Sequence, residues 1–153
     1  MPRPTPLVVL YDVPDPSTLT PGQRSGADCV WCQHPLRPHE GIDLGGTGDW
    51  WPCGCVPCCT LQSRALATYI DWYDHGIGCL YCPLRPCDRA RALHQAHLDA
   101  RQHAGKPDPT CLACRTVIAP GTPIRPHLWQ AANGGGPVFS FLHTRTCPSE
   151  RVP

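Results

Sequence analysis

Cysteine is the residue type in this sequence with the most chemistry to offer, at twelve positions in 153. The CxxC spacing makes a tight turn from which two thiolates reach one tetrahedral ion, and it recurs at Cys29 and Cys32, Cys79 and Cys82, and Cys111 and Cys114. Four more cysteines are crowded into seven residues, at Cys53, Cys55, Cys58 and Cys59. Thiols so close together cannot all face one partner. We therefore expect them to be divided between neighbouring metal sites, one completed from upstream and one from downstream.

Metal binding is favoured over disulfide bonding. The only apolar run near the N-terminus, residues 7–10, is interrupted by Asp12 and Pro14, so no signal-peptide core and no membrane-length segment is predicted. We therefore expect a cytoplasmic protein with no membrane partner. A reducing compartment keeps thiols free, so repeated CxxC pairs there favour metal.

The composition predicts a small metal-stabilised α+β fold with little hydrophobic core. The chain has twenty Pro and fourteen Gly but only two Phe and one Met. Such a sequence buries too little apolar surface to offset the entropy of ordering unless something cross-links it. We expect the bound ions to be that cross-link.

Four segments are predicted along the chain. Residues 1–27 are expected to be an extended arm, in which residues 7–11 are a candidate strand. Residues 28–76 are a first zinc module that ends with a helix over 60–75, because apolar residues recur there at helical spacing and Gly76 follows. Residues 77–106 hold a cysteine knuckle and a helix over 88–104, with Asp88 as the N-cap. Residues 107–153 are a second zinc module.

The last segment repeats the first at an offset of 82 residues. Shifted by that number, Cys29, Cys32, Leu36, Pro38 and Ile42 fall on Cys111, Cys114, Ile118, Pro120 and Ile124. A hairpin of residues 124–129 and 138–142, turning at 133–136, then delivers His143 and Cys147. A knuckle, a hairpin and a ligand pair at a helix N-terminus, as in the first module, resemble a treble-clef zinc finger. The resemblance implies two treble-clef-like modules that flank a two-helix middle segment.

Three ligand sets follow from these positions. The first is Cys29, Cys32, Cys55 and Cys58, with Cys53 in place of Cys55 and Cys59 in place of Cys58 as alternatives. The last is Cys111, Cys114, His143 and Cys147. The middle set is Cys59, Cys79, Cys82 and Cys87, with His94 or His97 as alternative fourth ligands. Together they predict two to three zinc ions.

The middle cysteines carry a second resemblance. The stretch CLYCPLRPC, followed by an Arg- and Ala-rich helix, resembles the CxxCPVRxxC segment of WhiB-like iron–sulfur transcription regulators of actinobacteria. The match covers about thirty residues, but four residues instead of five separate Cys82 from Cys87, and the family's Gly-Val-Trp-Gly-Gly turn is missing. It implies, as an alternative to zinc, an oxygen-sensitive [4Fe–4S] cluster on Cys59, Cys79, Cys82 and Cys87 and a redox-sensing regulator.

The sequence predicts a binding protein and not an enzyme. A catalytic zinc keeps one position open, whereas the ligands here suffice to close every site. The HxE and PCxxC motifs of zinc deaminases are not met, and no GK[ST] follows the glycines at 45–48, which excludes a P-loop.

Charge suggests two kinds of partner. Residues 28–75 hold two arginines against six carboxylates, whereas residues 76–106 hold five basic residues against two aspartates. Nucleic acid is expected to bind the basic middle segment through Arg85, Arg89, Arg91 and Arg101. The alternative is a zinc-stabilised adaptor that binds a protein through its acidic first module. No small-molecule substrate is expected.

Overall fold

The computed structural model describes residues 6–132, 134–145 and 147, and it divides the chain into two compact units, Met1–Leu66 and Ala67–Pro153. Within the described residues no helix combines the length and the apolar composition needed to span a bilayer. The elements in chain order are α1 (Leu7–Leu10), a 3-10 turn (Pro16–Thr18), α2 (Pro21–Ser25), β1 (Ile42–Asp43), β2 (Cys53–Gly54), α3 (Val56–Gly78), α4 (Asp88–His103), β3 (Ile124–Gln130) and β4 (Pro137–His143).

The beginning of the first unit is helical where an extended arm and a strand were predicted. Residues 7–10 form the single turn of α1, although Val8 N still donates to Leu44 O at 2.7 Å, as a strand residue would. In α2 the side chains of Thr20 and Gln23 each accept from the other's backbone N–H, a reciprocal capping box. Residues 1–5 of the predicted arm lie outside the described residues.

A small apolar cluster supports the first unit. Its buried members are Val30, Leu44 and Cys59. Strands β1 and β2 pair antiparallel beside it, and Gly54 of β2 approaches Cys59 so closely that an added Cβ would lie 2.5 Å from the sulfur. Only glycine fits at position 54, and the packing there consumes the space around Cys59.

Helix α3 is longer than predicted at both ends. It begins at Val56, four residues before the expected start, and it continues through Gly76 to Gly78. A glycine weakens a helix by about 1 kcal/mol relative to alanine but does not break it. Cys79 N also donates to His75 O at 3.0 Å, which extends the hydrogen bonding past the expected end.

Helix α4 is capped by a sulfur and not by the predicted Asp88. The N-cap residue is Cys87, whose Sγ accepts a hydrogen bond from Ala90 N at 3.4 Å. The helix ends at His103, one residue before the expected end, and Gly105 follows with a positive φ of 64°.

The second unit has a core of its own, built on aromatic side chains. The buried members are Tyr69, Trp72, Cys111, Ile118, Ile124 and Phe141. Strands β3 and β4 pair antiparallel over seven residues, with His127 opposite Ser140. The hairpin was predicted, and Asn133 of its predicted turn lies outside the described residues.

The offset of 82 residues recurs in the backbone. Cys29 N donates to His34 O and Cys111 N donates to Thr116 O, both at 2.9 Å. Gln33, with a φ of 60°, corresponds to Arg115, with a φ of 61°. Non-glycine residues rarely adopt a positive φ, so two at matching positions indicate the same local turn.

Candidate metal centres

Three groups of four cysteine and histidine side chains come together among the described residues. Within each group the ligand atoms all lie within 4.8 Å of one another. The groups are Cys29, Cys32, Cys55 and Cys58; His75, Cys79, Cys82 and Cys87; and Cys111, Cys114, His143 and Cys147. The first offers four thiols, and the other two each offer three thiols and one imidazole. Such sets can bind zinc or another thiophilic centre.

In the first group, a knuckle meets the start of a helix. Cys32 Sγ lies 3.8 Å from Cys55 Sγ, and Cys55 N donates to the buried Cys29 Sγ at 3.3 Å. Cys55 immediately precedes α3, and Cys58 is in its first turn. The positive end of the helix dipole therefore faces the thiolates.

In the last group, a knuckle meets the end of a hairpin. Cys111 Sγ lies 3.8 Å from Cys147 Sγ, and Cys114 Sγ lies 3.7 Å from His143 Nδ1. Cys111 is fully buried and belongs to the aromatic core of its unit. This group is therefore continuous with an apolar core, which shields it from water.

The middle group joins the end of α3 to the beginning of α4. Cys87 Sγ lies 3.1 Å from His75 Nε2, 4.0 Å from Cys79 Sγ and 3.8 Å from Cys82 Sγ. All four ligands are half-buried, and none belongs to an apolar cluster. Ligation itself is therefore what fixes the loop between the two helices.

These separations match a tetrahedral ion. Sulfurs that each lie about 2.3 Å from one zinc in tetrahedral arrangement are about 3.8 Å apart. The measured sulfur–sulfur distances are 3.8 to 4.0 Å in the three groups. The donor sets therefore fit a four-coordinate metal.

Each knuckle also stabilises the anionic form of its first thiol. Burial works to raise the pKa of Cys29 and of Cys111, but backbone N–H donors in the turns outweigh it and lower the pKa to about 7 and about 6. In Cys79, hydrogen bonds from the N–H groups of Tyr81 and Cys82 lower the pKa in the same way. The thiolate is the form that binds metal, so the turns favour ligation.

Cys59 and Cys53 lie outside all three groups. The middle set predicted from the sequence contained Cys59, but the structure places His75 with Cys79, Cys82 and Cys87 instead. Cys59 is in the first turn of α3, buried against Val30 and Leu44, and burial raises its pKa to about 11. Burial, with Asp43 nearby, also raises the pKa of Cys53. Both are positioned as neutral thiols.

His94 and His97, the alternative fourth ligands, are core residues. The ring of His94 stacks on Trp72 with centroids 4.4 Å apart, and burial lowers its pKa. His97 is buried, and its Nδ1 lies 3.0 Å from Thr68 Oγ1. Neither histidine belongs to a ligand group.

The four predicted nucleic-acid-binding arginines differ in their surroundings. Arg101 is half-buried, donates to Pro107 O at 2.6 Å and lies 5.0 Å above the ring of Phe141. Arg91 pairs with Asp88 and donates to Pro86 O. Arg85 and Arg89 are exposed. Arg101 therefore serves the core of its unit.

The ligand that sequence reasoning missed had a usable signal. His75 precedes Cys79 by four residues, and His143 precedes Cys147 by the same interval. The HxxxC spacing identified in the last module was thus already present at the end of α3. It was missed because Gly76 predicted the end of the helix ahead of Cys79.

Comparison of the chain with family models, with curated proteins and with solved structures found no match.

Proposed function

We propose that the chain is a non-enzymatic binding module stabilised by three structural zinc ions. The observation that carries the proposal is the completeness of the ligand groups, each of which supplies four protein ligands. Structural zinc sites are closed in this way, whereas catalytic sites keep a position for water or substrate. The ions then supply the cross-links that a chain rich in Pro and Gly needs in order to fold.

The first unit favours a treble-clef architecture for this proposal. Its knuckle at Cys29 and Cys32, its short β1–β2 hairpin and its ligands at the start of α3 follow the order of that finger. In the second unit the knuckle and the hairpin recur at the same offset, and Cys147 follows β4.

Zinc is favoured over an iron–sulfur cluster at the middle group. The cluster implied by the WhiB-like resemblance needs four thiolates, with Cys59 as the first of them. The fourth ligand here is His75, whereas Cys59 is packed among apolar side chains. One histidine with three thiolates is a common structural zinc set.

Protein purified under reducing conditions is expected to be colourless and to hold three zinc ions per chain. Metal analysis by mass spectrometry gives the stoichiometry, and the visible absorption spectrum reports iron–sulfur clusters. His75→Ala is expected to bind two ions, whereas His94→Ala keeps three. A brown protein, or a His75→Ala variant that keeps all three ions, would contradict the assignment of the middle group.

Nucleic acid is a second candidate partner, favoured by the exposure of Arg85 and Arg89 at the beginning of α4. Two phosphate contacts give a slope of about −2 for log affinity against log salt concentration. Binding to a mixed DNA or RNA pool is expected to show that slope and to be lost in Arg85→Ala/Arg89→Ala. Arg125→Ala, which changes an exposed arginine on β3, is the control. A response that does not depend on salt would remove this candidate.

A further inference from the structure

The loop that carries the middle metal group exposes an unusual amount of apolar surface. Here the middle loop means residues 77–89. The exposed fractions are 68% for Ile77, 90% for Leu80, 73% for Tyr81 and 89% for Leu84. No other stretch of this length in the described part of the chain exposes four large apolar side chains. Clustered apolar exposure of this kind marks interaction sites in soluble proteins.

The middle loop is a fixed surface. Its ends are joined through the ligands His75 and Cys87, and Cys79 and Cys82 hold it from within. Backbone bonds add to this, since Leu84 N and Arg85 N both donate to Tyr81 O, at 3.1 and 3.2 Å. Because ligation prevents the loop from collapsing onto its apolar side chains, a partner can bind without ordering it first.

The middle loop is also basic. Arg85 and Arg89 are exposed on it, whereas its one carboxylate, Asp88, is paired with Arg91. A partner that covers the apolar side chains therefore meets two cations at the edge. Charge complementarity calls for carboxylates around an apolar face.

We propose that the middle loop is a docking surface for an acidic protein segment with an apolar face, such as an amphipathic helix. This inference rests on the proposed binding-module function and names its partner. Recognition of anionic lipid clusters typically uses four to eight Lys or Arg, and the loop exposes two that are not paired to carboxylates. Bases stack on aromatic rings, whereas three of the four exposed apolar side chains are aliphatic. A protein surface satisfies both the aliphatic groups and the arginines.

The probe is a synthetic amphipathic helical peptide with a leucine and phenylalanine stripe and glutamates on its flanks, labelled for fluorescence anisotropy. The zinc-loaded full chain is expected to bind it saturably. Leu80→Ser/Leu84→Ser is expected to weaken binding about tenfold or more, because two leucines lose their buried contacts. Val117→Ser is the matched control, since Val117 is 64% exposed outside the loop. Arg85→Glu/Arg89→Glu is expected to transfer the preference to a peptide of the same stripe with lysine flanks.

Three results would overturn the docking proposal. They are no saturable binding of the acidic peptide, binding that the leucine substitutions leave unchanged, and equal or tighter leucine-dependent binding to phosphatidylserine vesicles. Metal content and circular dichroism are measured on every variant. A chain that keeps three zinc ions and its fold but ignores the peptide refutes the docking surface alone. A chain that folds without zinc refutes the binding-module function.

Discussion

Cys29→Ser is expected to lose one metal ion and to unfold the first unit. Cys29 is fully buried, its pKa is lowered to about 7 by backbone N–H donors, and its Sγ accepts from Cys55 N. Structural zinc supplies about 10–16 kcal/mol of apparent binding free energy, whereas whole domains are stable by only about 5–15 kcal/mol. The apolar cluster of this unit has three buried residues. It cannot replace a term of that size.

The measurement is metal stoichiometry together with near-ultraviolet circular dichroism and thermal melting. Cys53→Ser is the matched control, because Cys53 is a half-buried thiol that bridges to the backbone of Cys29 and lies outside the ligand groups. It is expected to keep three ions. Removal of metal from the unaltered chain by a strong chelator under reducing conditions is expected to reproduce the loss of fold. A Cys29→Ser variant that melts like the unaltered chain would refute metal stabilisation.

The sequence was most informative where spacing alone determines geometry. A CxxC turn places two sulfurs at one ion whatever surrounds it, so all three knuckles were found from local sequence. The offset of 82 residues reflects the same turn twice and reappears in matched hydrogen bonds. The hairpin that ends at His143 was also found, because its alternation and its glycine-rich turn are local signals.

The errors arose where tertiary packing decides. Cys59 has the sequence spacing of a ligand, but its position in the first turn of α3 points it into the cluster with Val30 and Leu44. His75 was missed because Gly76 predicted a helix end, and helix propensity is a weak guide against ligation at both ends of α3. The arm was expected to be extended because Pro is frequent in it. However, Pro21 occupies the first turn of α2, where its missing N–H costs nothing.

Tyr69→Phe is expected to destabilise the second unit by about 2–5 kcal/mol. The buried hydroxyl of Tyr69 donates to Ser140 O at 2.7 Å and accepts from His127 N and Ser140 N at 3.0 and 3.1 Å. It therefore takes the place of a direct bond between the facing residues of β3 and β4. Its removal leaves two N–H groups unpaired, at about 1–3 kcal/mol each.

The titration of the same hydroxyl supplies a second readout. Burial raises the pKa of Tyr69 from 10.0 to about 12, so the folded state resists losing this proton. The corresponding stability is fully present below pH 10.0 and is lost as the pH rises toward about 12. The Tyr69→Phe variant is expected to lack this part of the alkaline loss. Chemical denaturation across that pH range measures it.

Tyr73→Phe is the matched control for this prediction. Tyr73 lies one helical turn beyond Tyr69 on α3 and packs half-buried against the same core. Its substitution is expected to change stability by less than about 1 kcal/mol, because no buried backbone group depends on an exposed or half-buried hydroxyl there. Equal destabilisation by both substitutions would show that ring packing, and not the hydroxyl between the strands, holds β3 and β4 to α3. Loss of metal from Tyr69→Phe but not from Tyr73→Phe would instead show that the hydroxyl also secures the ligand group around the buried Cys111.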